Sequence, residues 1–149
     1  MSPTTSNPAP VPLLDDDGIV ELLRTSRRIA VVGASSNPVR PSYGVFGAMV
    51  AAGYECIPVN PNETVVLGVA AVANLAEAAA SGPIDIVDVF RRPELTEEIA
   101  REAVAIGARA LWLQLGVVNW ESARIAAEGG LAVVMDRCTA IEIRRPIRR

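Results

Sequence analysis

The chain has 149 residues, half of them hydrophobic and only 4% aromatic, with a formal net charge of −3. That length suits one domain with an aliphatic core, and the acidic balance argues against a general nucleic-acid binder. Histidine and lysine are both absent, so all 14 basic residues are arginine; this excludes histidine acid–base catalysis, a Ser-His-Asp triad, a Walker lysine, a Schiff base and histidine-containing zinc sites.

Residues 1–12 (MSPTTSNPAPVP) are rich in Pro, Ser and Thr and are expected to form a disordered tail ahead of a single domain spanning 13–149. Asp15, Asp16 and Asp17 suit the first turn of a helix running to about Arg24, where acidic groups complement the helix dipole. The apolar run Ile29 to Val32 reads as a buried strand, and Tyr43 to Ala52 as a helix stopped by Gly53. Tyr54 to Val59 is a second strand closed by Asn60-Pro61. Val65 to Val69 reads as a short edge strand or a loop. Helices are expected at Asn74–Ala80, Glu94–Ile106 and Trp120–Glu128. Further strands are expected at Ile84–Phe90, Ala110–Leu113 and Leu131–Met135, with Asp85 and Asp88 as polar anomalies in the third main strand.

Strands alternating with helices at this spacing predict βαβ units and a parallel sheet. The expected fold is therefore α/β: a single three-layer Rossmann-like domain with about five parallel strands and helices on both faces. In such sheets ligands sit beyond the carboxyl ends of the strands, so the strand-end residues are the candidate site.

The first strand ends in Gly33-Ala34-Ser35-Ser36-Asn37. Gly33 permits a tight turn and close backbone approach, and the serines offer hydroxyls and N–H groups to a phosphate. Arg40 adds charge there, Pro41 fits the first helical position, and Ser42, Tyr43 and Gly44 follow in the first helical turn. A plain βα turn with a capping serine is the other reading. The pattern departs from the GxGxxG fingerprint, because Ser35 and Pro38 stand where glycines belong. No acidic residue ends the second strand either, as an NAD ribose requires.

Asn60-Pro61 is a rigid turn or a shelf for a purine ring. Phe90-Arg91-Arg92-Pro93 follows the third main strand. Cations there oppose the dipole of the next helix, which points to an anionic ligand, while a solvated face is the alternative. Gln114 and Gly116 end the fourth strand, the first as a neutral donor–acceptor and the second for close approach. Trp112 reads as core. After the last strand, Asp136 and Arg137 are expected to pair with each other, and Cys138 is core filler or a thiol beside the ligand. Two cysteines, Cys56 and Cys138, make no disulfide framework. No signal segment opens the sequence and no apolar run reaches membrane length, so a cytoplasmic setting is expected, with no membrane or nucleic-acid partner.

The motifs VVGASSNPVRPSYGV, IPVNP, DIVDVFRRP, LWLQLGVVN and VVMDRCTAIE, in this order and at strand ends, resemble the CoA-binding-domain family. These are small Rossmann-like proteins similar to the N-terminal domain of the succinyl-CoA synthetase alpha subunit. The likeness covers roughly residues 16–145. It implies CoA as cofactor, with the pyrophosphate at Gly33, Ala34, Ser35 and the helix start at Ser42 and Tyr43, assisted by Arg40. It further implies the adenosine part beside Asn60, Pro61 and Phe90, Arg91 or Arg92 near its phosphates, and pantetheine along Gln114 and Gly116. The phosphohistidine of succinyl-CoA synthetase lies in another domain, and this chain has no histidine, so the ligase reaction does not carry over. Some relatives carry a histidine just after the MDRC stretch, where this chain reads Ile141-Glu142-Ile143. The expected function is binding of CoA or an acyl-CoA without catalysis, as a sensor, carrier or accessory module. The alternatives are an acyl-CoA enzyme using Cys138, with Asp136 or Glu142 as base, and a regulator that binds NAD, another nucleotide or a nucleic acid using the arginine tail Arg144, Arg145, Arg148 and Arg149.

Overall fold

The computed structural model describes residues 11–145. Most of the expected disordered tail, and the last arginines Arg148 and Arg149, lie outside the described residues. The elements run α1 (Asp16–Thr25), β1 (Arg28–Val32), α2 (Pro41–Ala51), β2 (Glu55–Val59), β3 (Val65–Val66), β4 (Val69–Ala70), α3 (Leu75–Ala80), β5 (Ile86–Val89), α4 (Thr96–Ala105), β6 (Ala110–Leu113), α5 (Trp120–Glu128), β7 (Ala132–Met135) and α6 (Thr139–Arg144). A single 3₁₀ turn, Pro93–Leu95, leads into α4.

Five strands form one sheet in the order β2-β1-β5-β6-β7, and every pairing in it is parallel. Strand alternation divides the core into two halves. Ile29, Val31, Ile86 and Trp112 pack with Ile19, Leu22, Phe46 and Met49 from α1 and α2. Ala30, Val32, Val87, Val89, Leu111 and Leu113 pack with Leu75, Ile99, Ala103, Ala123 and Ala126 from α3, α4 and α5. Successive side chains on a strand point to opposite faces, and both faces here are covered, which is why the strands read as unbroken apolar runs.

The one interruption within the buried part of the sheet is Asp88, which is 0% exposed. The other anomaly, Asp85, has a structural reason: its Oδ2 accepts from the N–H groups of Arg27 (2.8 Å) and Arg28 (3.0 Å), fixing the start of β1. The segment 65–70, expected as one edge strand or a loop, is instead a two-stranded antiparallel hairpin. Leu67 and Gly68 turn it, both at positive φ. The helix α6 had no counterpart in the sequence reading. Trp112 is fully buried, as expected, and its Nε1 donates to the Arg137 carbonyl at 2.8 Å.

β1 lies between β2 and β5 in the sheet, although β2 follows β1 in the chain and β5 comes later. The chain therefore leaves β1 toward one side and returns on the other. Loops beyond β1 and β5 diverge at such a point and leave a crevice at the carboxyl edge of the sheet.

Candidate functional site

An open cleft of about 810 Å³ occupies this edge. Its walls come from the loop after β1 and the start of α2 (Gly33, Ser35, Arg40, Pro41, Ser42, Val45), from Asn60, and from the loops after β5 and β6. Those last two supply Phe90, Arg91, Arg92, Pro93, Leu95 and Gln114 through Val117, while Cys138 and Ile141 close it at α6. Of the thirteen residues expected at the site, ten line this cleft. Ala34, Tyr43 and Pro61 do not. Ala34 is buried in the core beneath the loop, Tyr43 is half-buried in α2, and Pro61 is exposed outside the cleft. The sequence reading missed the apolar contributors Val45, Leu95, Leu115, Val117 and Ile141, because isolated aliphatic residues in loops and helices carry no signal of their own.

Gly33 has φ +86°, and a Cβ there would stand 2.3 Å from the carbonyl oxygen of Phe90. The close approach that demands glycine is therefore to the neighbouring loop after β5 rather than to a ligand. The loop is further tied down: Gly33 N–H donates to the Val59 carbonyl (2.9 Å), and Asn60 Nδ2 donates to the Ala34 carbonyl (3.0 Å). Ser35 N–H donates to the buried Ser42 Oγ (3.1 Å), and Ser35 Oγ accepts from Asn37 N–H (3.0 Å). Ser36 N–H donates to the Glu63 carboxylate (3.0 Å), which holds that carboxyl below its ordinary pKa. The N–H groups expected to be free for a phosphate at Ser35 and Ser36 are thus engaged by protein. A phosphate at Ser36 must displace Glu63.

The charge around the cleft is one-sided. Arg40 is the N-cap of α2 and makes no side-chain cap bond, so the first turn of that helix borders the cleft without a side-chain cap. Unpaired N–H groups at a helix N-terminus favour an anion. Arg91 and Arg92 are exposed; Arg92 reaches Glu94 at 3.4 Å in a solvated pair, a contact of small energy. Among the described residues neither Arg40 nor Arg91 has an ion pair. Among the described residues no Asp or Glu lines the cleft. Three guanidinium groups line the cleft, of which only Arg92 has a carboxylate beside it, in a solvated pair, and together they make a site for a polyanion.

The bases weighed for thiol chemistry at Cys138 are both committed elsewhere. Asp136 does not pair with Arg137 as expected; at φ +61°, its Oδ1 accepts from Gly116 N–H at 2.7 Å and so fixes the β6 loop. Arg137 pairs instead with Asp16 (2.8 Å) and Glu142 (3.5 Å). Glu142 is buried and also meets Arg145 at 3.1 Å. Among the described residues no cluster of acidic or thiol side chains is arranged to hold a metal ion, and no helix is long and apolar enough to cross a membrane.

A family model described as a CoA binding domain matches residues 27–144. A Bacillus subtilis (strain 168) protein, the uncharacterized protein YneT, is 48% identical over 123 residues, which is 83% of this chain and 90% of that protein. A hypothetical protein from Pyrococcus horikoshii OT3 has a TM-score of 0.82 at 36% identity, over 87% of this chain and 89% of that one. A dinucleotide-forming acetyl-coenzyme A synthetase of Ca. Korarchaeum cryptofilum has a TM-score of 0.65 at 17% identity, over 77% of this chain and 28% of that one. This last likeness is one of fold.

Proposed function

The chain belongs to the CoA-binding domain family, and from that premise we propose that its cleft binds coenzyme A or an acyl-CoA and performs no reaction on it. The protein then serves as a sensor, carrier or accessory module that presents the ligand to another protein. The observation that carries this reading is the charge of the cleft: Arg40, Arg91 and Arg92 line it and, among the described residues, no carboxylate does. CoA brings a pyrophosphate and a 3′-phosphate, which planar guanidinium groups grip well. The apolar stretch Leu115, Val117 and Ile141 suits the uncharged pantetheine arm. An NAD site would need a carboxylate for the ribose hydroxyls, and none of the described residues lining the cleft supplies one.

The absence of a reaction rests on the same lining. Arginine does not exchange protons at working pH, and Cys138 is the one remaining titratable side chain facing the cleft among the described residues. Without an adjacent base a thiol lacks the partner that activates it as a nucleophile.

Differential alkylation tests the placement of the ligand. Burial, with the charges of Asp88 and Glu55, pushes the Cys56 thiol up to about 12, so Cys56 is expected to stay unlabelled by iodoacetamide in the folded protein. Cys138, half-buried in the cleft wall, is expected to label, and an excess of CoA is expected to slow that labelling strongly. Equal labelling rates with and without CoA would contradict the reading.

A further inference from the structure

Asp88 lies in β5 directly under the cleft, fully buried, with no cation paired to it among the described residues. Its Oδ1 accepts from Gln114 Nε2 at 2.6 Å and its Oδ2 accepts from the Thr139 hydroxyl at 3.1 Å. Gln114 Nε2 also donates to Thr139 Oγ1 at 2.9 Å. Both amide hydrogens of Gln114 are therefore spent inward, and every donor in the triangle is directed finally at the carboxylate. An ionised carboxylate can only accept, so turning the amide over would set Oε1 against it.

Gln114 is 4% exposed, yet it lines the cleft. Among the described residues the one sealed side-chain N or O atom without a partner is Trp120 Nε1. Gln114 Oε1, which has no hydrogen bond among the described residues, is therefore not sealed, and the cleft is the space that Gln114 lines. Burial alone pushes the Asp88 carboxyl up to about 7, against the pull of its two donors. A buried carboxylate held at such a cost to the fold is better explained by a task than by stability.

We infer that Asp88 is a positioning residue that locks the Gln114 amide with its oxygen toward the ligand, so that the cleft floor selects a hydrogen-bond donor, namely an amide N–H of the pantetheine arm. The inference rests on the CoA reading for the identity of that donor. The orientation of the amide does not.

Two measurements at pH 8, above the raised Asp88 value of about 7, separate these parts. The first is water exchange of the Gln114 side-chain NH2 protons by NMR without ligand. Slow exchange is expected in the wild type and faster exchange in Asp88→Asn, where the new amide can donate as well as accept and no longer dictates one orientation. Fast exchange in the wild type would overturn the inference. The second is binding of CoA against two analogues, each with one pantetheine amide N–H replaced by an ester oxygen. One analogue is expected to bind the wild type about tenfold more weakly, and Asp88→Asn is expected to lose most of that discrimination while its affinity for ADP, which lacks the arm, stays unchanged. Equal binding of CoA and both analogues to the wild type would overturn the inference. Failure of CoA to bind at all would defeat the CoA reading and the proposed donor together, whereas slow NH2 exchange would still uphold the locked amide.

Discussion

Replacing Gly33 by alanine is expected to destabilise the fold by about 2–4 kcal/mol, whether or not a ligand is present. Two costs combine. The backbone there has φ +86°, a region L-residues rarely occupy, and the new methyl would lie 2.3 Å from the Phe90 carbonyl oxygen. That oxygen belongs to backbone, and Phe90 N–H is held by the Val32 carbonyl at 2.8 Å, so neither loop gives way easily. Gly116→Ala is the control: its φ is +85°, but a Cβ there meets no atom within 4 Å, so only the backbone cost of about 1 kcal/mol remains. Urea unfolding of the two variants checks the difference. Equal losses would mean that contact with the β5 loop is not what requires glycine at position 33.

The second large effect concerns Asp88. Its carboxyl is raised from 3.8 to about 7 in the folded protein, so the fold holds the proton more tightly than the unfolded chain does. The stabilising contribution of the protonated form is fully present below the unfolded value near 4 and is lost as pH rises through about 7. Stability attributable to this residue should therefore fall across that window, by up to roughly 4 kcal/mol. Asp88→Asn, similar in shape and without charge, should lack this fall. The stability difference between variant and wild type should move in the variant's favour between pH 4 and pH 8, as chemical denaturation at several pH values would show. A constant difference across that range would mean the carboxyl is not raised. Together with the binding test at Gln114, this outcome would identify Asp88 as a group that lowers stability in order to orient its neighbour.

The strands and most helices were legible because each sheet strand is a short, largely apolar run buried on both faces, and Gly33, Asn60 and Gly53 punctuate the chain after β1, β2 and α2. The helix α6 was not. Thr139 and Glu142 have the spacing of a capping box, but the helix has only six residues, too few for a periodic pattern to show, and its N-cap is Cys138, which makes no side-chain cap bond. The hairpin at 65–70 turns on Leu67 at φ +47°, a position where Gly or Asn would have announced the turn. The cleft was legible as a row of strand ends, since a parallel sheet brings those together whatever the loops contain. What each residue does there was less so. Asp88 stood out as polar in a buried strand, but its partners Gln114 and Thr139 lie 26 and 51 residues away. Gly33 was recognisable as necessary, whereas the atom that makes it so comes from the Phe90 loop. Asp136 and Arg137 are neighbours in sequence with opposite charges, yet the turn at Asp136 sends its carboxylate to Gly116 and leaves Arg137 to α1 and α6.

The most direct test is calorimetric titration of the purified protein with CoA, dephospho-CoA, acetyl-CoA and NAD, alongside the Arg40→Ala variant. CoA binding weakened by loss of the 3′-phosphate, absent for NAD, and reduced by about 1–3 kcal/mol in Arg40→Ala is the predicted result. No binding of CoA, or a preference for NAD, would contradict the account at its centre.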